Sequence, residues 1–200
     1  MRTNERTRAQ HSELRTKAQA LRRIARQIES CRTCKRGAVG KAVVGEGSAN
    51  AQIVFVGEAP GRHEAESGRP FVGQAGQWLR RAIQTSGLHE DTVYLTSPIK
   101  YRRMRGATAA DVAHGGIHLR QQIDIINPRI VVLLGSTACL AVLNEQIAVR
   151  AQHGRFIDRD GRTHLVTCHP AAAARFPAVR RIVQQDFRKL SRLAAQLGDG

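Results

Sequence analysis

The 200-residue sequence contains no run of about 18 apolar residues, so no segment reads as a membrane-spanning helix. Its opening stretch, MRTNERTRAQHSELR, lacks the apolar core that a secretory signal needs, and the cytoplasm is the expected location. Neither a G-x-G-x-x-G nor a Walker sequence is present, which removes the main support for a nucleotide or flavin binder of doubly wound architecture. No internal repeat is visible. Cysteine is scarce: the four, at positions 31, 34, 139 and 168, are poor disulfide candidates in a reducing compartment. Only Cys31 and Cys34 are spaced as a motif. Acidic side chains are also in deficit, 16 against 32 Lys and Arg, for a net charge of +16. A polyanion is the natural partner, because each neutralised phosphate releases condensed counterions and arginine forks onto phosphate oxygens. A GC-rich genome would produce the same arginine-rich balance, so charge alone does not decide the function.

What is present is an alternation of helical and strand patterns. From Glu13 to Ile28 the apolar positions Leu14, Leu21, Ile24 and Ile28 recur at helical spacing, with arginines on the other faces. A glycine-rich loop follows, and then IVFV within residues 52–57 has the length and β-branched character of a buried strand. Further on, the pattern predicts a helix over 74–85, a strand over 93–96, a helix over 109–126 ending before Pro128, and a strand over 130–134. A hairpin over 154–157 and 164–168 around Asp160-Gly161 and a closing helix over 177–197 complete the chain. Strands separated by helices of this length predict an α/β domain of three layers, α/β/α, around a central, mostly parallel four-stranded sheet. The expected division is a basic helical segment over 1–30 and a single domain over 31–200.

In such sheets ligands bind at the carboxyl ends of the strands, which directs attention to 57–61, 97–101, 135–137 and 169–175. The segment GEAPGRHEAESGRPFVGQAG places glycines 57 and 61 around a carboxylate. In HPAAAAR, Pro170 restricts His169 to extended geometry and so pins the imidazole. The first segment resembles the first signature of the family 4, iron-sulfur-type uracil-DNA glycosylases, and HPAAAAR at 169–175 is similar to their second. The resemblance runs from the C-x-x-C at Cys31 to Arg175 and includes Gly45-Glu46-Gly47, Gly135-Ser136-Thr137 and His153-Gly154-Arg155.

The resemblance implies a DNA-repair glycosylase that hydrolyses the N-glycosidic bond of uracil, or a related deaminated base, flipped out of single-stranded or duplex DNA. A glycosylase-derived protein that grips nucleic acid with little or no turnover is the alternative, and a monomer is expected. By the same resemblance, His169 hydrogen-bonds the anionic leaving base, Glu58 orients water or faces the sugar cation, and Phe71 stacks on the base. Gly57, Ala59, Gly61 and Ser97 would complete the base pocket, while Arg69, Pro70, Ala171 and Arg175 would contact DNA. Ala59 stands where other branches of the superfamily carry an aspartate, which leaves Glu58 as the carboxylate of that turn.

Two departures stand out. YLTSPIKY at 94–101 puts Ser97 where the family has an asparagine that reads the uracil edge, so a hydroxyl replaces an amide's paired donor and acceptor. The family's 4Fe-4S cluster is held by four cysteines. Cys31 and Cys34 match two of them, but Tyr101 and His114 occupy the other two positions. A cluster with unusual ligands including His114, a different metal, and no metal at all are three outcomes open at this point. Cys139 and Cys168 fall outside the ligand positions and read as small buried residues.

Overall fold

The computed structural model describes residues 2–89 and 92–198. In chain order the elements are α1 (Arg2–Ser30), α2 (Arg32–Lys35), β1 (Ala38–Val39), β2 (Glu46–Gly47), β3 (Ile53–Val56), α3 (Arg62–Ser67), α4 (Gln74–Thr85) and β4 (Val93–Thr96). They continue with β5 (Arg102–Arg103), α5 (Ala109–Ile126), β6 (Ile130–Leu134), α6 (Ser136–Leu143), α7 (Val149–Gln152), β7 (Phe156–Arg159), β8 (Arg162–Thr167), α8 (Pro170–Arg175) and α9 (Pro177–Gly198).

The sheet order is β2-β4-β3-β6-β8-β7. Its middle four strands are parallel, with Val54 opposite Tyr94 on one side and Val131 on the other. The expected four-stranded parallel sheet is therefore present and is widened at both edges by antiparallel strands. At one edge, β2 is two residues long and carries no alternation that a sequence pattern could register. At the other, β7 and β8 form the expected hairpin, turning at Asp160 (φ 53°) and Gly161 (φ 72°), the paired positive φ of a tight hairpin turn.

The central strands read as unbroken apolar runs because helices cover both faces. Alternate residues sort into two cores. Val54, Val56, Val131, Leu133 and Val166 pack under α5 and α6. Ile53, Phe55, Leu95, Val132 and Leu165 pack against α4 and α9 through Leu79, Ile83, Val183 and Phe187. Asp111 caps α5 reciprocally with Thr108, and Asn127 in left-handed conformation closes it ahead of Pro128.

Helix α1 extends beyond the amphipathic stretch read from sequence and packs along α5. Its Ile24 and Ile28 join Cys34 and Tyr101 in a small third core. Strand order reverses around β3, with β4 reached on one side and β6 on the other, and a crevice is expected at such a reversal. Among the described residues no helix is long and apolar enough to cross a membrane.

Candidate active site

A cavity of about 310 Å³ opens at the carboxyl ends of the central strands. The turn after β3 contributes Glu58, Ala59 and Gly61, the segment after β4 contributes Ser97, the loop before α4 contributes Pro70 and Phe71, and the region after β8 contributes His169 and Ala171. Residues far apart in sequence thus meet in one wall.

Phe71 has φ 53°, an unfavourable left-handed conformation for a bulky side chain, so its surroundings have to hold it. The Glu64 carboxylate accepts hydrogen bonds from the N–H groups of Val72 (2.9 Å) and Gly73 (2.8 Å). From the other side, the Arg80 guanidinium donates to the carbonyls of Phe71 (3.0 Å) and Pro70 (2.9 Å). Two glycines make room for the pose. A Cβ at Gly76 would lie 2.1 Å from the Phe71 carbonyl carbon, and one at Gly57 would lie 2.6 Å from the Phe71 Cζ. The tip of the ring is therefore seated against the Gly57 backbone, and the side chain lines the cavity.

His169 precedes α8 as its N-cap, with Pro170 at the first helical position. Its Nδ1 accepts the Ala171 N–H at 3.2 Å, so the neutral ring carries its proton on Nε2 and offers that N–H as a donor. Burial pushes its pKa below the ordinary 6.5, against the opposing charge of Glu58, and the ring is held neutral. Gly135, at φ 94°, brings the end of β6 against this ring, and a Cβ there would stand 3.2 Å from the His169 Cβ. Glu58 is exposed to solvent at the cavity wall. Ser97, 7% exposed, donates its hydroxyl hydrogen to the Ile99 carbonyl at 2.9 Å. Its oxygen is left with lone pairs only for anything in the cavity.

Behind these residues are supports that sequence reasoning passed over. Lys100 is buried, and its Nζ donates to Gln122 Oε1 (2.6 Å), Thr96 Oγ1 (2.8 Å) and the Val44 carbonyl (3.3 Å). Burial pushes this ammonium down to about 7, partly opposed by the charge of Cys34. The fully buried Asp186 accepts from Thr167 Oγ1 at 2.7 Å and contacts His153 Nδ1 at 3.1 Å, which fixes the end of β8 just before His169. A mid-helix glutamine on an apolar face and an acid in an otherwise amphipathic α9 were the available signals.

The DNA-contact candidates are divided. Pro70 and Ala171 line the cavity. Arg69 lies outside it and pairs bidentately with Glu46 at 2.8 Å, an exposed salt bridge that ties the loop to β2. Arg175 is exposed at the end of α8, its guanidinium 5.3 Å from the Phe176 ring centroid.

The metal-ligand candidates form a separate group. One donor atom each from Cys31, Cys34, His114 and His118 lie within 4.8 Å of one another. Cys31 Sγ is 3.2 Å from His114 Nε2 and accepts the Cys34 N–H at 3.4 Å. Tyr101, which stands at the remaining family ligand position, instead directs its hydroxyl to the Glu29 carbonyl at 3.5 Å. The fourth donor of the group is His118, which the sequence reading missed. Its signal was the i, i+4 spacing from His114, which puts both imidazoles on one face of α5.

Residues 44–191 match the family model of the Uracil DNA glycosylase superfamily. The chain is 35% identical over 187 residues to the type-4 uracil-DNA glycosylase of Sulfurisphaera tokodaii, covering 88% of this chain and 85% of the relative. It is 35% identical over 184 residues to the type-4 enzyme of Thermotoga maritima, covering 87% and 94%. With the type-4 enzyme of Saccharolobus solfataricus the identity is 37% over 179 residues, covering 84% and 83%. The matched residues 44–191 contain both segments that frame the cavity, and the chain belongs to the uracil-DNA glycosylase superfamily.

Proposed function

We propose that the protein is a DNA glycosylase that excises uracil, or another deaminated base, flipped out of DNA, and leaves an abasic site. The observation that carries this reading is the presence, in the lining of one cavity, of an aromatic ring seated by its edge against Gly57 and an imidazole whose neutral form keeps Nε2–H as a donor. A flipped base needs a surface to stack on and a polar contact at its edge, and these two residues in one cavity lining support the reading.

The bond cleaves dissociatively: the base leaves with the bonding electron pair, the sugar becomes oxocarbenium-like, and water then adds to it. Charge stabilisation is the main task. The Nε2–H of His169 donates to the oxygen on which negative charge grows, and a neutral donor does so without protonating the base. Glu58 faces the cationic sugar or orients the water. Pro70, Ala171 and Arg175 contact the DNA backbone, and Arg69, through its pairing with Glu46, holds the loop that presents Pro70 and Phe71.

Ser97 sets the base preference. With its hydrogen committed to Ile99, its oxygen accepts from a base N–H but does not donate to a carbonyl. Uracil N3–H and hypoxanthine N1–H both satisfy that contact, whereas the bare ring nitrogens of cytosine and adenine do not. The reading therefore extends to more than one deaminated base. A four-iron cluster forms no part of it.

The test uses oligonucleotides carrying uracil or hypoxanthine, single-stranded and mismatched, incubated with the protein and then treated with alkali to break abasic sites. Strand breakage is expected with wild type. His169→Ala is expected to lose on the order of 10²–10³-fold in rate with DNA binding retained. Absence of breakage on every damaged base refutes the enzyme reading and leaves a nucleic-acid-binding protein.

A further inference from the structure

The four-iron, four-sulfur cluster implied by family resemblance does not fit the donors present here. A cubane holds its ligand atoms far apart because the whole inorganic core stands between them, yet all four donors lie within 4.8 Å of one another. Half of the donors are imidazoles, and the tyrosine at a cysteine position is hydrogen-bonded to the Glu29 carbonyl.

We propose instead that Cys31, Cys34, His114 and His118 bind a single zinc ion in a closed, structural site. The ligand types and their spacing, C-x2-C on one segment and H-x3-H on a helix, are those that a tetrahedral zinc ion takes. Zinc–sulfur and zinc–nitrogen bonds of about 2.3 and 2.0 Å put ligand atoms about 3.3–3.8 Å apart, a spacing that the 3.2 Å contact of Cys31 with His114 approaches.

Independent support comes from His118. Both its ring nitrogens are buried and neither makes a well-formed hydrogen bond, although the Cys31 sulfur lies beside the ring and is stabilised as a thiolate by it. A buried imidazole left with two unsatisfied nitrogens is costly, and coordination of one of them relieves that nitrogen's share of the cost. The backbone N–H of Cys34 pointing at Cys31 Sγ is the outer hydrogen bond that a metal-bound thiolate accepts.

None of the four residues lines the cavity, and four protein ligands leave no open position for water. The ion therefore holds structure. It clamps the junction of α1 and α2 onto α5, at the small core of Ile24, Ile28, Cys34 and Tyr101.

The test is metal analysis of the full chain purified with and without oxygen from medium supplied with both iron and zinc. One zinc per chain, with no iron and no acid-labile sulfide, is expected. Replacement by cobalt should give the visible d–d and thiolate charge-transfer bands of a tetrahedral S2N2 site. His118→Ala should lower metal occupancy, whereas Tyr101→Phe should leave it unchanged. Should His118→Ala fail to fold, chelator treatment of the wild-type chain gives the same information as a lowered melting temperature that added zinc restores. Iron bound with labile sulfide, or a wild-type chain that folds metal-free and takes up no zinc, overturns the proposal. Each readout is independent of glycosylase activity.

Discussion

Gly57→Ala separates the proposed base-stacking role of Phe71 from its packing. A Cβ at position 57 would stand 2.6 Å from the Phe71 Cζ and 3.2 Å from its Cε1. Carbon atoms rest at about 3.5–4.0 Å, so the ring has to shift by roughly 1 Å. Position 57 is outside the left-handed region, so alanine fits the backbone, and no polar group is removed. Because one side of the ring is open cavity, the folding cost should fall at the low end of overpacking, about 1 kcal/mol. For a chain of this size that corresponds to about 2–4 °C in melting temperature. A displacement of about 1 Å at the surface that positions the base costs on the order of 10²-fold in rate. Single-turnover excision of uracil with enzyme in excess, run beside thermal melting, reads both effects. A variant that excises uracil at the wild-type rate would show that Phe71 does not position the base.

The remaining predictions concern neighbouring groups. Ser97→Asn restores an amide's paired donor and acceptor and should raise the uracil-to-hypoxanthine rate ratio; an unchanged ratio removes Ser97 as the reader. The folded-state pKa of His169 lies below 6.5 because of burial, so the active neutral ring should persist through neutral pH. The acid limb of the excision rate is then expected below pH 6.5, and a limb centred above it contradicts a neutral donor. By linkage, the unfolded chain takes up more protons than the folded one as pH falls through this window, so this group subtracts stability on the acid side. Asp186→Ala leaves Thr167 and His153 without their buried acceptor and should cost at least about 2 kcal/mol in denaturant unfolding. Stability within experimental error of wild type would show that this network is dispensable.

The parts of the fold that were legible in sequence are those whose burial writes a pattern. IVFV and IVVLL are apolar without a break because both faces are covered, and α5 announces itself by its stop before Pro128. The two-residue β2 pairs through backbone alone, as its Gly47 lies against the Val93 carbonyl, and so leaves no side-chain pattern to read. The cavity frame was equally legible, because Glu58, Phe71, Ser97 and His169 sit at strand ends or in the loop facing them. What holds these residues was not. The Gly76 contact with the Phe71 backbone joins residues five apart, and Asp186 reaches His153 across 33 positions. His118 was obscured differently: on a helix with apolar neighbours, a histidine one turn from another looks like part of a face until the Cys31 turn is brought beside it.

The left-handed Phe71, pinned by Glu64 on one side and Arg80 on the other, has a kinetic consequence. A loop that had to fold around each base would spend part of every encounter ordering itself. Here the aromatic surface stands ready before any base arrives, with its backbone strain already absorbed by the fold. With Phe71 as the proposed stacking surface, capture would be limited by how often a base leaves the helix and not by how fast the protein closes on it. A repair enzyme built this way samples DNA by waiting for brief excursions, and weakly paired bases make those excursions most often.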